Sequence, residues 1–147
     1  MSRAPGEPGA TVATVATGRQ PFEYALLRVM PRVDRGECVN VGVVLYCQGG
    51  DFLGVAVHLD VARLQALDPQ LDVEAVRAAL DGVREVCGGD PDAGPAGQGS
   101  PRARFGWLTA PRSTVVQPGP VHAGLTADPA ADLARLLDRL VLMPPSS

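Results

Sequence analysis

The chain contains no lysine and no isoleucine, its 13 basic residues are all arginine, and Asn40 is its sole asparagine. That bias looks like the codon usage of a GC-rich genome and says nothing about mechanism. Aromatic residues make up only 4% and the formal net charge is −3. Both argue against a surface built throughout for nucleic acid. No apolar run approaches the roughly 20 residues of a membrane-spanning helix, so the sequence reads as a soluble protein. The stretch Ala10 to Thr17 is interrupted by threonines and lacks a strong basic leader, which argues against secretion. Three cysteines, Cys38, Cys47 and Cys87, show no zinc or redox spacing. Cys38 and Cys47 fall on one expected strand about 30 Å apart, too far for a disulfide. Reduced thiols in a cytoplasmic protein fit best. There is no G-x-S-x-G elbow, phosphate loop or dinucleotide fingerprint. His58 and His122 stand alone, so no metal is expected.

What is present suits one compact domain. Of 147 residues, 46% are apolar and 20% charged, enough to build a core. Residues 1–20 mix Pro, Gly, Ala and Thr without an amphipathic period and read as a flexible arm; residues 144–147 read as a tail. The domain spans 21–143. From Phe22 to Met30 the chain alternates, with Phe22, Tyr24 and Leu26 on one face and Ala25, Leu27 and Val29 on the other. From Glu37 to Cys47, alternation assigns Val39, Val41, Val43 and Leu45 to one wholly apolar face. Gly49-Gly50 supplies a tight hairpin turn into a third strand over Asp51 to Leu59.

The period then changes to helical. Val61, Leu64 and Leu67 form a short stripe ended by Pro69, and a longer helix follows, capped by Asp72 and closed by Gly88-Gly89. Residues 88–101, with five Gly and three Pro, read as a flexible surface loop. Thr114 to Gln117 is a further strand confined to an edge by nearby prolines. Asp128-Pro129 opens a last helix carrying Leu133, Leu136, Leu137, Leu140 and Val141. The fold class implied is α+β: an antiparallel β-meander of three to four strands covered on one face by two or three helices.

Residues 60–99 hold eight acids and three arginines, whereas residues 100–125 hold three arginines and no acid. Within the second block, Arg112, Ser113 and Thr114 follow a Pro-bounded turn and precede Gln117 and His122. A fixed guanidinium with hydroxyl and amide donors suits a phosphate or carboxylate; equally, Arg112 serves a structural ion pair and the hydroxyls satisfy the turn. Arg28, Arg32 and Arg35 form the other basic concentration. Arg28 sits among apolar neighbours on its strand face and needs a partner, with Glu37 and Glu23 the intramolecular choices. Asn40, a lone amide on a central strand, needs hydrogen bonds from a neighbour or from something bound over Gly42.

Two blocks, Arg35-Gly-Glu-Cys-Val-Asn-Val-Gly-Val-Val-Leu45 and Phe105-Gly-Trp-Leu-Thr-Ala-Pro-Arg-Ser-Thr-Val-Val-Gln-Pro-Gly-Pro-Val-His122, together with Tyr24 to Arg28 and the Asp128-Pro129 helix, resemble the bacterial domain-of-unknown-function family 3037. The resemblance covers roughly residues 22–142. It implies no established activity or cofactor. It does imply a companion, a kinase-like protein of the HipA type, and Gly119 departs from the small polar residue expected there. Arg28, Arg35, Glu37, Asn40, Trp107, Arg112, Ser113, Thr114, Gln117 and His122 fall in its blocks.

The leading expectation is a small cytoplasmic accessory or binding module. Its ligand-binding residues would be Arg28, Arg35, Glu37, Asn40, Arg112, Ser113, Thr114, Gln117 and His122, meeting beside the sheet to hold an anionic ligand or a protein partner. The alternative is an enzyme acting on a phosphorylated or carboxylated metabolite, with His122 as acid or base and Arg112 as charge clamp. A nucleic-acid module is the third reading, disfavoured by the charge balance.

Overall fold

A computed structural model of the chain describes residues 18–142. The expected arm lies outside the described residues except for its last three positions, and the expected tail lies wholly outside them. Three strands come first, β1 (Gln20–Val29), β2 (Val39–Cys47) and β3 (Phe52–Val57), followed by helices α1 (Val61–Leu67) and α2 (Val73–Gly88). A 3-10 segment (Pro91–Gly97) leads to helix α3 (Pro101–Thr109). Strands β4 (Val116–Pro118) and β5 (His122–Thr126) and helix α4 (Pro129–Leu140) complete the order. The class is α+β, with every strand pairing antiparallel in the order β3-β2-β1-β4 and β5 also on β1.

The meander forms where alternation placed it. Ala25, Leu27 and Val29 enter one apolar cluster, while Phe22, Tyr24 and Leu26 enter another across the sheet. The turn into β3 closes with Asp51 N–H donating to Gln48 O at 3.0 Å, and the left-handed residue is Asp51 (φ 50°), not either glycine. Gly49 leaves room for the end of the Gln20 side chain, which a Cβ there would displace.

The expected single apolar face of β2 does not exist. Leu27 pairs with Gly42 but Arg28 pairs with Asn40, so Val41 is an extra residue on β2. One inserted residue reverses the alternation downstream. Val39 and Val41 therefore join Val44 and Tyr46 in the first cluster, while Val43, Leu45 and Cys47 face the second. A strand buried on both sides needs cover on both. Helices consequently pack on the two faces rather than one: Leu64 of α1, Val76 and Leu80 of α2, and Phe105 and Leu108 of α3 on the first; Leu133 and Leu136 of α4 on the second.

Each helix starts at a side-chain cap that accepts from an otherwise orphaned backbone N–H. Asp60 accepts from Arg63, Asp72 from Ala75, Ser100 from Ala103 and Asp128 from Ala131, at 3.1–3.2 Å. Asp68, held extended before Pro69, ends α1. Gly89 ends α2 at φ 69°. The segment expected as a surface loop carries the 3-10 turns, with Gly97 buried. Arg104 of α3 reaches into that corner and donates to Gly99 O at 2.7 Å and to Cys87 O at 3.4 Å. Its Nε is buried without a hydrogen-bond partner. Among the described residues no helix is long and apolar enough to cross a membrane.

Candidate functional site

Strand β1 is the centre of the sheet, and its even-numbered side chains from Phe22 to Arg28 point to the α4 side. Helix α4 runs over β2 and β3. The part of that face formed by β1, β4 and β5 lies beyond the helix flank and keeps Tyr24, Leu26 and Arg28 only partly buried. Arg28 is flanked in register by Asn40 of β2 and Gln117 of β4.

Neither carboxylate within sequence reach serves Arg28. Glu37 is held by Arg35, with Nε to Oε1 at 2.8 Å and Nη2 to Oε2 at 3.2 Å, and that bidentate hydrogen bonding keeps the Glu37 carboxyl below its ordinary range. Glu23 is taken by Arg102 of α3 at 2.7 Å on the opposite face, where Arg102 also lies over the Tyr46 ring. Arg32 is paired with Asp34 at 2.8 Å. Among the described residues, no hydrogen bond or ion pair engages the Arg28 guanidinium.

That guanidinium lies over Gly119. A Cβ at 119 would sit 2.9 Å from Cζ and 3.1 Å from Nε and Nη2 of Arg28. Gly119 N–H donates to Leu26 O at 2.8 Å, which carries the edge strand from β4 towards β5. The glycine that departs from the family-like pattern is thus the residue that makes room for Arg28. Asn40 is spoken for in part: its Nδ2 donates to Leu140 O at 3.1 Å, closing a carbonyl at the end of α4. Gly42 accommodates the neighbouring strand, since its Cβ would lie 2.9 Å from Ala56 O.

His122 opens β5 opposite Tyr24, and the two rings lie tilted against each other, 5.3 Å between centroids and 33° between planes. Arg28, Asn40, Gln117 and His122 therefore share one face of the sheet. The Arg112 group does not join them. Arg112 donates to Ala110 O at 3.2 Å and to Trp107 O, and lies 4.2 Å over the Trp107 ring. It closes the carbonyl end of α3, where a cation is favourable. Burial lowers its pKa from the ordinary guanidinium value. Thr114 Oγ1 donates to Val116 O at 2.6 Å, and Ser113 is exposed ahead of β4. Arg112, Thr114 and Trp107 border a cavity of about 310 Å³ floored by Val83, Val86 and Val116, on the α2 side of the sheet. Arg112 and His122, paired in the enzyme reading, stand on opposite sides. Arg35 and Glu37 form a separate exposed ion pair in the β1–β2 connection.

Sequence reasoning missed two members of the open face. Tyr24 looked like ordinary strand core, although it alternates with Arg28 along β1; Gly119 looked like a loss, and only the pairing of a different strand brings it under Arg28. Among the described residues no three His, Cys, Asp or Glu side chains gather into a metal site. The family model described as "Protein of unknown function (DUF3037)" matches residues 24–141. No curated protein and no solved structure matches the chain.

Proposed function

Since the chain belongs to the DUF3037 family, whose description assigns no activity, we propose a function from its own residues: a binding module that anchors an anionic group on Arg28 at the open part of the sheet. One observation carries this reading. Arg28 is a partly buried guanidinium with no partner among the described residues, set over a glycine that leaves its donor fork uncovered. Removing a cation from bulk water without a counter-charge is unfavourable, and a bound carboxylate or phosphate supplies the missing interaction. Gln117 beside it adds a neutral amide donor.

The anion belongs either to a small molecule or to a protein surface, such as that of the kinase-like HipA-type companion that the family resemblance implies. A bacterial cytoplasmic setting is part of this proposal, its cytoplasmic part supported by the unpaired thiols of Cys38, Cys47 and Cys87. The test is an NMR titration with inorganic phosphate and acetate. Shifts are expected at the Arg28 Nε–H and at the amides of residues 26–29 and 117–119, and are lost in Arg28→Gln. Shifts confined to the Arg112 region, or unchanged in Arg28→Gln, would remove Arg28 from the reading.

A further inference from the structure

The same sheet face carries a second feature that an anion alone does not use. Tyr24 and His122 are cross-strand partners whose rings touch at a tilt, and Phe22 stacks behind Tyr24 at 5.9 Å. His122 is exposed and Tyr24 half-buried, so these two rings present surface outward while Phe22 is buried behind them. Among the described residues, neither the Tyr24 hydroxyl nor the His122 imidazole has a hydrogen-bond partner.

The spacing between these rings and the guanidinium is fixed by the ladder. Gly119 is opposite Leu26, and Leu26 is two residues from Tyr24, about 7 Å along the strand. Because Arg28 leans over Gly119, its donors reach back towards the Tyr24–His122 rung. The floor between them is the partly buried, apolar Leu26. A planar ring, a short spacer and a single anionic group at that separation describe a nucleoside 5′-monophosphate. We propose that this face binds one, with the base against His122 and Tyr24, the ribose over Leu26, and the phosphate on Arg28 and Gln117. The inference rests on the reading of Arg28 as an anion anchor. One guanidinium matches one phosphate, which favours a monophosphate over longer chains.

Calorimetric titration of the full chain with adenosine 5′-monophosphate, ribose 5-phosphate, inorganic phosphate and a short oligoadenylate tests it. The monophosphate should bind at least about tenfold more tightly than ribose 5-phosphate, a difference of about 1.4 kcal/mol that falls within the usual range for stacking one base. His122→Ala, at an exposed position, should erase that preference while ribose 5-phosphate still binds; Arg28→Ala should abolish both. Equal binding of the monophosphate and ribose 5-phosphate overturns the base site and leaves the Arg28 reading standing. Binding of no phosphate compound overturns both. Oligoadenylate that outbinds the monophosphate, with steep loss in salt, overturns the mononucleotide in favour of a nucleic-acid strand.

Discussion

Gly119→Ala separates the role of the Arg28 guanidinium from that of the backbone beneath it. The new Cβ would meet Cζ at 2.9 Å and Nε and Nη2 at 3.1 Å, so the guanidinium must move, but it is the free end of a flexible side chain. The backbone does not oppose alanine. Gly119 is not among the glycines with positive φ, and Pro120 after it favours the extended region that alanine accepts. Glycine to alanine at a compatible site gains about 0.4–1 kcal/mol by restricting the unfolded chain. In an Arg28→Ala background that full gain should appear, raising the melting temperature by about 2–4 °C. With Arg28 present, the displaced guanidinium should cancel at least about 0.5 kcal/mol of it, a coupling within the range seen for touching residues. Calorimetry on the parent, both single variants and the double variant closes the cycle. Equal effects in both backgrounds would refute the argument, as would a loss above about 2 kcal/mol in each, which would mean that Gly119 is required by the backbone.

Other perturbations have equally definite outcomes. Arg104→Met strips the partners from Gly99 O and Cys87 O and should cost about 2–4 kcal/mol in urea unfolding, whereas Arg28→Ala should stay within about 1 kcal/mol because it breaks no hydrogen bond. Leu64→Ala or Leu108→Ala, at fully buried sites on the α2 side, should each cost about 2–5 kcal/mol, read by the same method. Burial pushes the Cys87 thiol up to about 11, with nearby Arg104 a smaller opposing influence. The folded state therefore holds that proton more tightly than the unfolded chain does, and stability should fall as pH rises from about 9 towards 11. A Cys87→Ala variant should lack that decline, and at pH 8 alkylation should find the exposed Cys38 before Cys87.

The parts of the fold legible in the sequence were those set by local period and punctuation. Alternation placed β1, the hairpin glycines marked the β2–β3 turn, and Asp72 and Asp128-Pro129 marked α2 and α4. What failed depended on non-local geometry. Val41 is as apolar as its neighbours, so nothing in the pattern announced the extra residue that sends Val43 to the other side. Helix α3 buries only Phe105 and Leu108, too thin a stripe to read, although Ser100-Pro101 repeats the cap logic of Asp128-Pro129. Strand β5 follows two prolines and is largely exposed, with Thr126 its one buried residue, and only pairing with β1 makes it a strand. The candidate site shows the same divide. That Arg28 needs a partner followed from its apolar neighbours, but that Glu37 and Glu23 are claimed by Arg35 and Arg102 is a matter of which chains meet in space.

The placement of β1 also orders assembly in time. Its first side is satisfied by β2, a few residues downstream, but its second side waits for Val116 to join Val29 and for Thr126 to join Gln20. During synthesis the N-terminal hairpin therefore emerges with a long unpaired edge that only the last third of the chain can close. Such distant pairing slows folding and leaves the early strands open to association with other chains. A fragment ending near residue 110 would keep the β1–β3 meander and most of the helices of the α2 side, yet should aggregate, and supplying residues 111–142 in trans should suppress this by docking as the absent edge.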